Sequence, residues 1–229
     1  MKIGRFVGFL GFITAVSLWT LLLVPSATLA QTCDTGVARV VAVQGTVEAQ
    51  RQGETQWRTV QFNDTYCPGD TLRVQEKSRA DVVLANQSVL RLSAQTTITL
   101  EGMKEERTSL VGLLKGAAHF FSRGPRSLEV HTPFVAAGIR GTEFLIRVED
   151  GQTFLSVFTG SVVAMNEAGN LTLSGGQSAV AEAGKAPTLR VVARPRDAVQ
   201  WALYYPPVLY VSPEASRAEA DWQRLVQSS

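Results

Sequence analysis

TEFLIRVEDGQTFLSVFTGSVVAM, residues 142–165, decides the fold of this chain. Apolar and polar side chains alternate along it in short runs, and Asp150-Gly151 divides it at the centre. A period of two is that of a strand with one face buried, and Asp-Gly between two such runs marks a tight hairpin turn. The stretch therefore predicts two antiparallel strands joined at Gly151.

The same pattern extends from Val37 to about Val192. ARVVAVQGTVEAQ (38–50) keeps a period of two across Gly45, and RADVVLANQSVLRLS (79–93) reads as a hairpin with Val82 and Leu84 facing Leu90 and Leu92. Its Asn86-Gln87 replaces the easy Asn-Gly turn, so a longer connection is expected. NLTLSGGQSAVAEAG (170–184) adds a short pair around Gly175-Gly176. SLVGLLKGA (109–117) is the one window that could be helical, and it reads equally as a buried strand. A motif also recurs: VQGTVEA (43–49), LLKGAAHF (113–120) and FTGSVVA (158–164) share a central glycine. A strand–Gly–strand corner used repeatedly points to a roll or a stack in which glycine marks a bend. The expected fold is all-β, a β-roll, sandwich or β-helix-like stack of short strands, with a short C-terminal α-helical tail.

The ends carry different signals. Lys2 and Arg5 precede an apolar run from Phe6 to Val24, followed by Pro25-Ser26 and Thr28-Leu29-Ala30. This is the layout of a secretory signal peptide over residues 1–30, cleaved after Ala30, or an uncleaved anchor if the peptidase fails. Membrane association is expected only through that segment, and only if it is uncleaved. Lys2 and Arg5 belong to the 22 basic side chains; without residues 1–30 the remaining basic residues equal the 20 acidic ones. No basic patch favours nucleic acid. Cys33 and Cys67 are the two cysteines of the chain. An even pair in an oxidising compartment reads as a disulfide, with two buried thiols as the alternative.

No stretch offers recognisable catalytic machinery. GIRGTEF (138–144) has the vocabulary of a phosphate loop, but it lacks both G-x-x-x-x-G-K-[ST] and a G-x-G-x-x-G opening a helix. A strand follows it, so no helix N-terminus presents amides to an anion. The favoured reading is a corner in which Gly138 and Gly141 supply unusual φ. Arg140 and Glu143, three apart across a glycine, would pin it by a local ion pair or contact a partner. His119 and His131 are the two histidines of the chain, without cupin-like spacing, and no G-x-S-x-G elbow appears. Catalytic residues, metal ligands and cofactors are therefore expected to be none. A β-roll metalloenzyme would need His119, His131 and Glu143 to converge.

Several stretches together resemble the FecR domain: VAVQGTVEA, CPGDTLRV, SRADVVLANQSVLRL, the run from Leu113 to Gly151, and the run from Ser156 to Pro187. Gly138, Arg140, Gly141, Thr142 and Glu143 lie in the family's G-[VI]-R-G-T-E-F signature. The resemblance implies a non-enzymatic extracytoplasmic module, periplasmic in a bacterium, that binds a protein partner or an envelope polymer. One version of the family is an iron-responsive sigma-factor regulator with a cytoplasmic domain ahead of its membrane segment. Here five residues precede the apolar run, which disfavours that version. The other version is exported behind a signal and joined to tetratricopeptide repeats. RPRDAVQWALYYPPVL (194–209) resembles that join, so residues 31–193 are expected to form the β domain and 194–229 a helical tail at the start of a truncated repeat region.

In that tail, Ser212-Pro213-Glu214 forms a helix start, and Ala218, Trp222 and Leu225 recur at helical spacing. Two short helices are expected to pack together or cap the β domain. Alternatively Trp201, Tyr204, Tyr205 and Trp222 form a docking surface. A peptidoglycan- or polysaccharide-binding module would instead expose a row of aromatics, for which Trp57, Phe62 and Tyr66 are the candidates.

Overall fold

The alternation reads out directly as strands. In a computed structural model of the chain, the described residues are Cys33, 36–105, 108–122, 127–191, Arg196 and 200–203. The signal segment, Tyr204, Tyr205, Trp222 and the second expected tail helix lie outside them. Fifteen strands form: β1 (Ala38–Gln44), β2 (Val47–Gln50), β3 (Trp57–Thr59), β4 (Thr65–Tyr66), β5 (Thr71–Val74), β6 (Arg79–Leu84), β7 (Val89–Leu92), β8 (Thr97–Lys104), β9 (Thr108–Phe121), β10 (Ser127–His131), β11 (Ala136–Glu149), β12 (Gln152–Asn166), β13 (Gly169–Ser174), β14 (Ser178–Glu182) and β15 (Thr188–Arg190). One helical turn follows, α1 (Gln200–Leu203). Among the described residues no helix is long and apolar enough to cross a membrane. Contacts divide the chain into Met1–Gln31 and Thr32–Ser229.

All fifteen strands join one sheet, whose longest path runs β15-β14-β12-β11-β10-β9-β7-β6-β1-β4. Every pairing is antiparallel except β9 with β10. Asp150-Gly151 closes the β11–β12 hairpin, with Glu149 opposite Gln152 and Gly151 at φ +80°. In the β6–β7 hairpin Val82 faces Leu90 and Ala80 faces Leu92. Its connection is the longer one expected: Gln87 takes φ +64°, and the Asn86 side-chain carbonyl accepts the Ser88 amide at 2.9 Å. SLVGLLKGA lies inside β9, as strand. One pairing differs from the sequence reading. β13 and β14 do not pair with each other; both run antiparallel to β12, β13 along Ser161–Asn166 and β14 along Gln152–Ser156.

Glycine explains that arrangement. β12 bends at Gly160, and Gly175-Gly176 turns the neighbouring strand at the same level, where the Gly175 amide donates to the Gly160 carbonyl at 3.0 Å. Gly160 has φ +84°, and a Cβ there would collide with Thr142 Cγ2 and the Gly141 carbonyl. Gly45 and Gly116, the glycines of the other two recurring motifs, take φ +76° and +86°. The three related motifs are the corners at which the sheet rolls over its own core.

Inside the roll, Leu72, Leu90, Leu92, Ile98, Leu100, Phe120, Phe144, Ile146 and Leu155 are fully buried in one cluster. The second face of the sheet carries a smaller cluster of Ala117, Leu145 and Phe158, with Trp201 packed against it. Near the start of the β domain, Cys33 and Cys67 form the disulfide.

Candidate functional site

The GIRGTEF stretch sits in the middle of β11, and it does turn a corner. Pairing slips between Arg140 and Glu143 and again between Glu143 and Phe144, and Gly141 adopts φ +61°. Up to Arg140 the strand pairs with β10; from Glu143 it pairs with β9. The bulge thus hands one strand from one neighbour to another. Gly138 departs from expectation: it lies in regular register opposite Glu129 and Val163, without a positive φ, so Gly141 alone supplies the unusual backbone. Thr142 is buried, and its carbonyl accepts the Ser122 amide at 3.0 Å.

The bulge also aims Glu143 at the second face. That face forms a register line across six strands: Asp81 opposite Arg91, Arg91 opposite His119, His119 opposite Leu145, Leu145 opposite Ser156, and Ser156 opposite Ser178. Such positions alternate with core positions and would ordinarily meet water. Here Asp81 is 0% exposed, His119 2% and Leu145 4%.

The electrostatics follow from that burial. Glu143 Oε1 stands 3.2 Å from His119 Nε2, out of line for a hydrogen bond. His119 also packs against the Phe121 and Phe158 rings, with centroids 4.0 and 5.5 Å away. Burial, reinforced by the Arg91 and Arg196 charges, pulls its pKa down to about 3, so the imidazole is neutral. Asp81 lies 3.5 Å from Arg91 Nε, and burial outweighs that cation, lifting the carboxyl to about 6.

Of the sequence-derived residues, the structure brings His119, Glu143 and Trp201 to this one face. Trp201 is half-buried on Ala117, Leu145 and Phe158, and its carbonyl accepts from Arg79 Nη1 at 3.1 Å. Arg140 holds its register opposite Ser127 and Ser161. His131 is not part of the group. It pairs with Gly112, beyond the Gly116 bend of β9, and lies between Glu101 at 2.6 Å from Nδ1 and Glu129 at 2.9 Å from Nε2. Among the described residues no group of three or more His, Cys, Asp or Glu is arranged to hold a metal ion. The aromatic row does not form either: Tyr66 is buried and Trp57 lies beneath the Arg73 guanidinium, 3.9 Å from its ring centre, which leaves Phe62 as the exposed member.

The sequence reading missed Asp81, Arg91, His119 and Phe158 as one group. Their common signal was polar or aromatic side chains at the outward positions of neighbouring strands, visible only once the register was known.

A rolled antiparallel sheet with glycine corners and a bulged GIRGTEF strand defines an all-β domain. Residues 70–163 match the family model described as FecR protein, and the chain carries a FecR domain over that span. Two crystal structures of a candidate anti-sigma factor from Parabacteroides distasonis ATCC 8503, at 2.50 and 1.65 Å resolution, share the fold. Each superposes with a TM-score of 0.51, at 18% and 19% identity. The alignments cover 58% of this chain and 63% and 64% of those chains, so a little under two thirds of their length is represented. No curated protein matches the chain.

Proposed function

We propose that this chain is a non-enzymatic regulatory or sensing module of the bacterial cell envelope, acting by docking a protein partner. The FecR domain over residues 70–163 carries the reading. The Cys33–Cys67 disulfide supports an oxidising, extracytoplasmic compartment, in keeping with a signal peptide over residues 1–30. The apolar cluster of Ala117, Leu145 and Phe158 on the second face suits recognition of a protein surface. The names of the two structural neighbours agree with a regulatory role.

Site-directed photo-crosslinking in intact bacteria tests this. A crosslinker at Glu143 is expected to capture a discrete protein species, whereas one at exposed Phe62 is not. The cysteines should resist alkylation until reductant is added. Free cytoplasmic thiols, or crosslinks no different between the two positions, would overturn the proposal.

A further inference from the structure

Arg79, Asp81, Arg91, Ala117, His119, Glu143, Leu145 and Phe158 of the second face all fall within the FecR-matched span 70–163. What lies on that face does not. Trp201 packs on Ala117, Leu145 and Phe158, Arg79 reaches the Trp201 carbonyl at 3.1 Å, and the Arg196 guanidinium stands 5.7 Å from the Phe158 ring centre. The domain supplies the surface and a separate C-terminal segment supplies its cover. The covering helix α1 is one turn of four residues. A helix that short does not hold in water by itself, so it persists only because the face receives it.

The fit is also imperfect in an informative way. On the same face, neither carboxylate oxygen of Asp81 and neither ring nitrogen of His119 has a hydrogen-bond partner among the described residues, although Arg91 Nε stands 3.5 Å from Asp81 and Glu143 Oε1 3.2 Å from His119. Buried polar groups without hydrogen bonds penalise the arrangement that buries them. The charged groups around them are Arg79 on β6, Arg91 on β7, Glu143 on β11 and Arg196 on the segment itself.

We propose that this face is a docking surface for a short helix with an aromatic anchor, and that Arg196 and the α1 turn occupy it in cis as a displaceable latch. Trp201 is the anchor and Arg79 holds the carbonyl at the helix end. A partner helix that also satisfies Asp81 and His119 would displace the latch. This deepens the proposed function by naming the surface and its resident competitor, and it rests on that reading.

The test uses the full chain and a labelled synthetic peptide of residues 196–210, RDAVQWALYYPPVLY. Fluorescence polarisation should show saturable binding to the Trp201→Ala chain, at least about tenfold tighter than to the wild-type chain. The peptide carrying Trp201→Ala should not bind either. Arg196→Ala in the chain serves as a second opened chain, because it loosens the segment and leaves the docking face intact, and it should also gain peptide binding. No saturable binding to an opened chain with an intact thermal transition, or equal binding to the wild type, would overturn the latch. Loss of cooperative unfolding in both variants would overturn it too, because the segment would then be part of the core. The assay contains no envelope component. A chain that binds the peptide yet captures nothing in the crosslinking experiment would overturn the proposed function and leave the latch standing.

Discussion

Phe120 and Phe144 stack face to face across β9 and β11, with ring centroids 4.6 Å apart and planes 3° from parallel. They are register partners, and Leu90 of β7 faces Phe120 from the other side. Both rings are fully buried. The stack therefore sits where β11 leaves the GIRGTEF bulge and takes up its new neighbour, so it clamps the corner from the core side. Phe144→Ala removes one ring and leaves a cavity that the roll cannot close, and a cost of about 3–5 kcal/mol is expected. Phe144→Leu retains most of the volume and should cost less than half of that. Urea midpoints of the two variants check the ordering.

Gly160 and Thr142 meet where the β12 corner nests against the β11 bulge. Gly160→Ala would combine a left-handed backbone with a collision against Thr142 Cγ2 and the Gly141 carbonyl. The backbone term alone is about 1–2 kcal/mol, and the collision adds to it. Gly176 provides the comparison: its φ is +85°, but a side chain there meets nothing within 4 Å. Gly176→Ala should show the backbone term alone, and Gly176→Asn less still. Equal unfolding midpoints for the Gly160→Ala and Gly176→Ala chains would show that the nested corner is not tight.

The disulfide predicts a redox effect of definite sign. Cys33 and Cys67 are 34 positions apart. Opening that loop in the unfolded chain restores entropy worth roughly 3–4 kcal/mol in the chain-entropy treatment. For a domain of this size reduction should lower Tm by roughly 6–16 °C. Thermal unfolding with and without reductant measures it, and a Cys33→Ser/Cys67→Ser chain should match the reduced protein and ignore reductant. An unchanged Tm on reduction would mean that the disulfide does not constrain the unfolded chain.

These relationships were not equally visible in the chain. The Gly151 hairpin, the facing of Val82 by Leu90, and the glycine corners at 45, 116 and 160 are local: each depends on residues a few positions apart, and turn chemistry fixes them. The disulfide needed only a count of cysteines and a compartment. The second face is different. Asp81, Arg91 and His119 come from three strands, and only the register of β6, β7 and β9 makes them neighbours. Each occupies an outward position, and a polar side chain at an outward position ordinarily means water. Burial of that face beside a segment that begins at Arg196 is a long-range fact, beyond any window of periodicity. Arg140 and Glu143 illustrate the same limit: spacing suggested a local pair, whereas the bulge turns Glu143 towards His119 on another strand.

His119 and Asp81 give the chain opposing responses to acid. The His119 pKa falls from 6.5 to about 3 on folding. The unfolded chain therefore takes up a proton that the folded chain refuses, and the stability present above pH 6.5 is lost as pH falls towards 3. Asp81 moves the other way, from 3.8 to about 6. Its contribution is fully present below pH 3.8 and is lost as pH rises through 6. Between pH 6 and 4 the two slopes partly cancel, and each variant should unmask the other. In His119→Gln the acid-side loss from this face should disappear, leaving a chain that gains stability between pH 6 and 4. In Asp81→Asn the loss over the same interval should steepen, because only the histidine term remains. Urea midpoints measured from pH 4 to 8 for the wild type and both variants give the three slopes. Parallel slopes in all three chains would mean that neither group keeps its buried surroundings in solution.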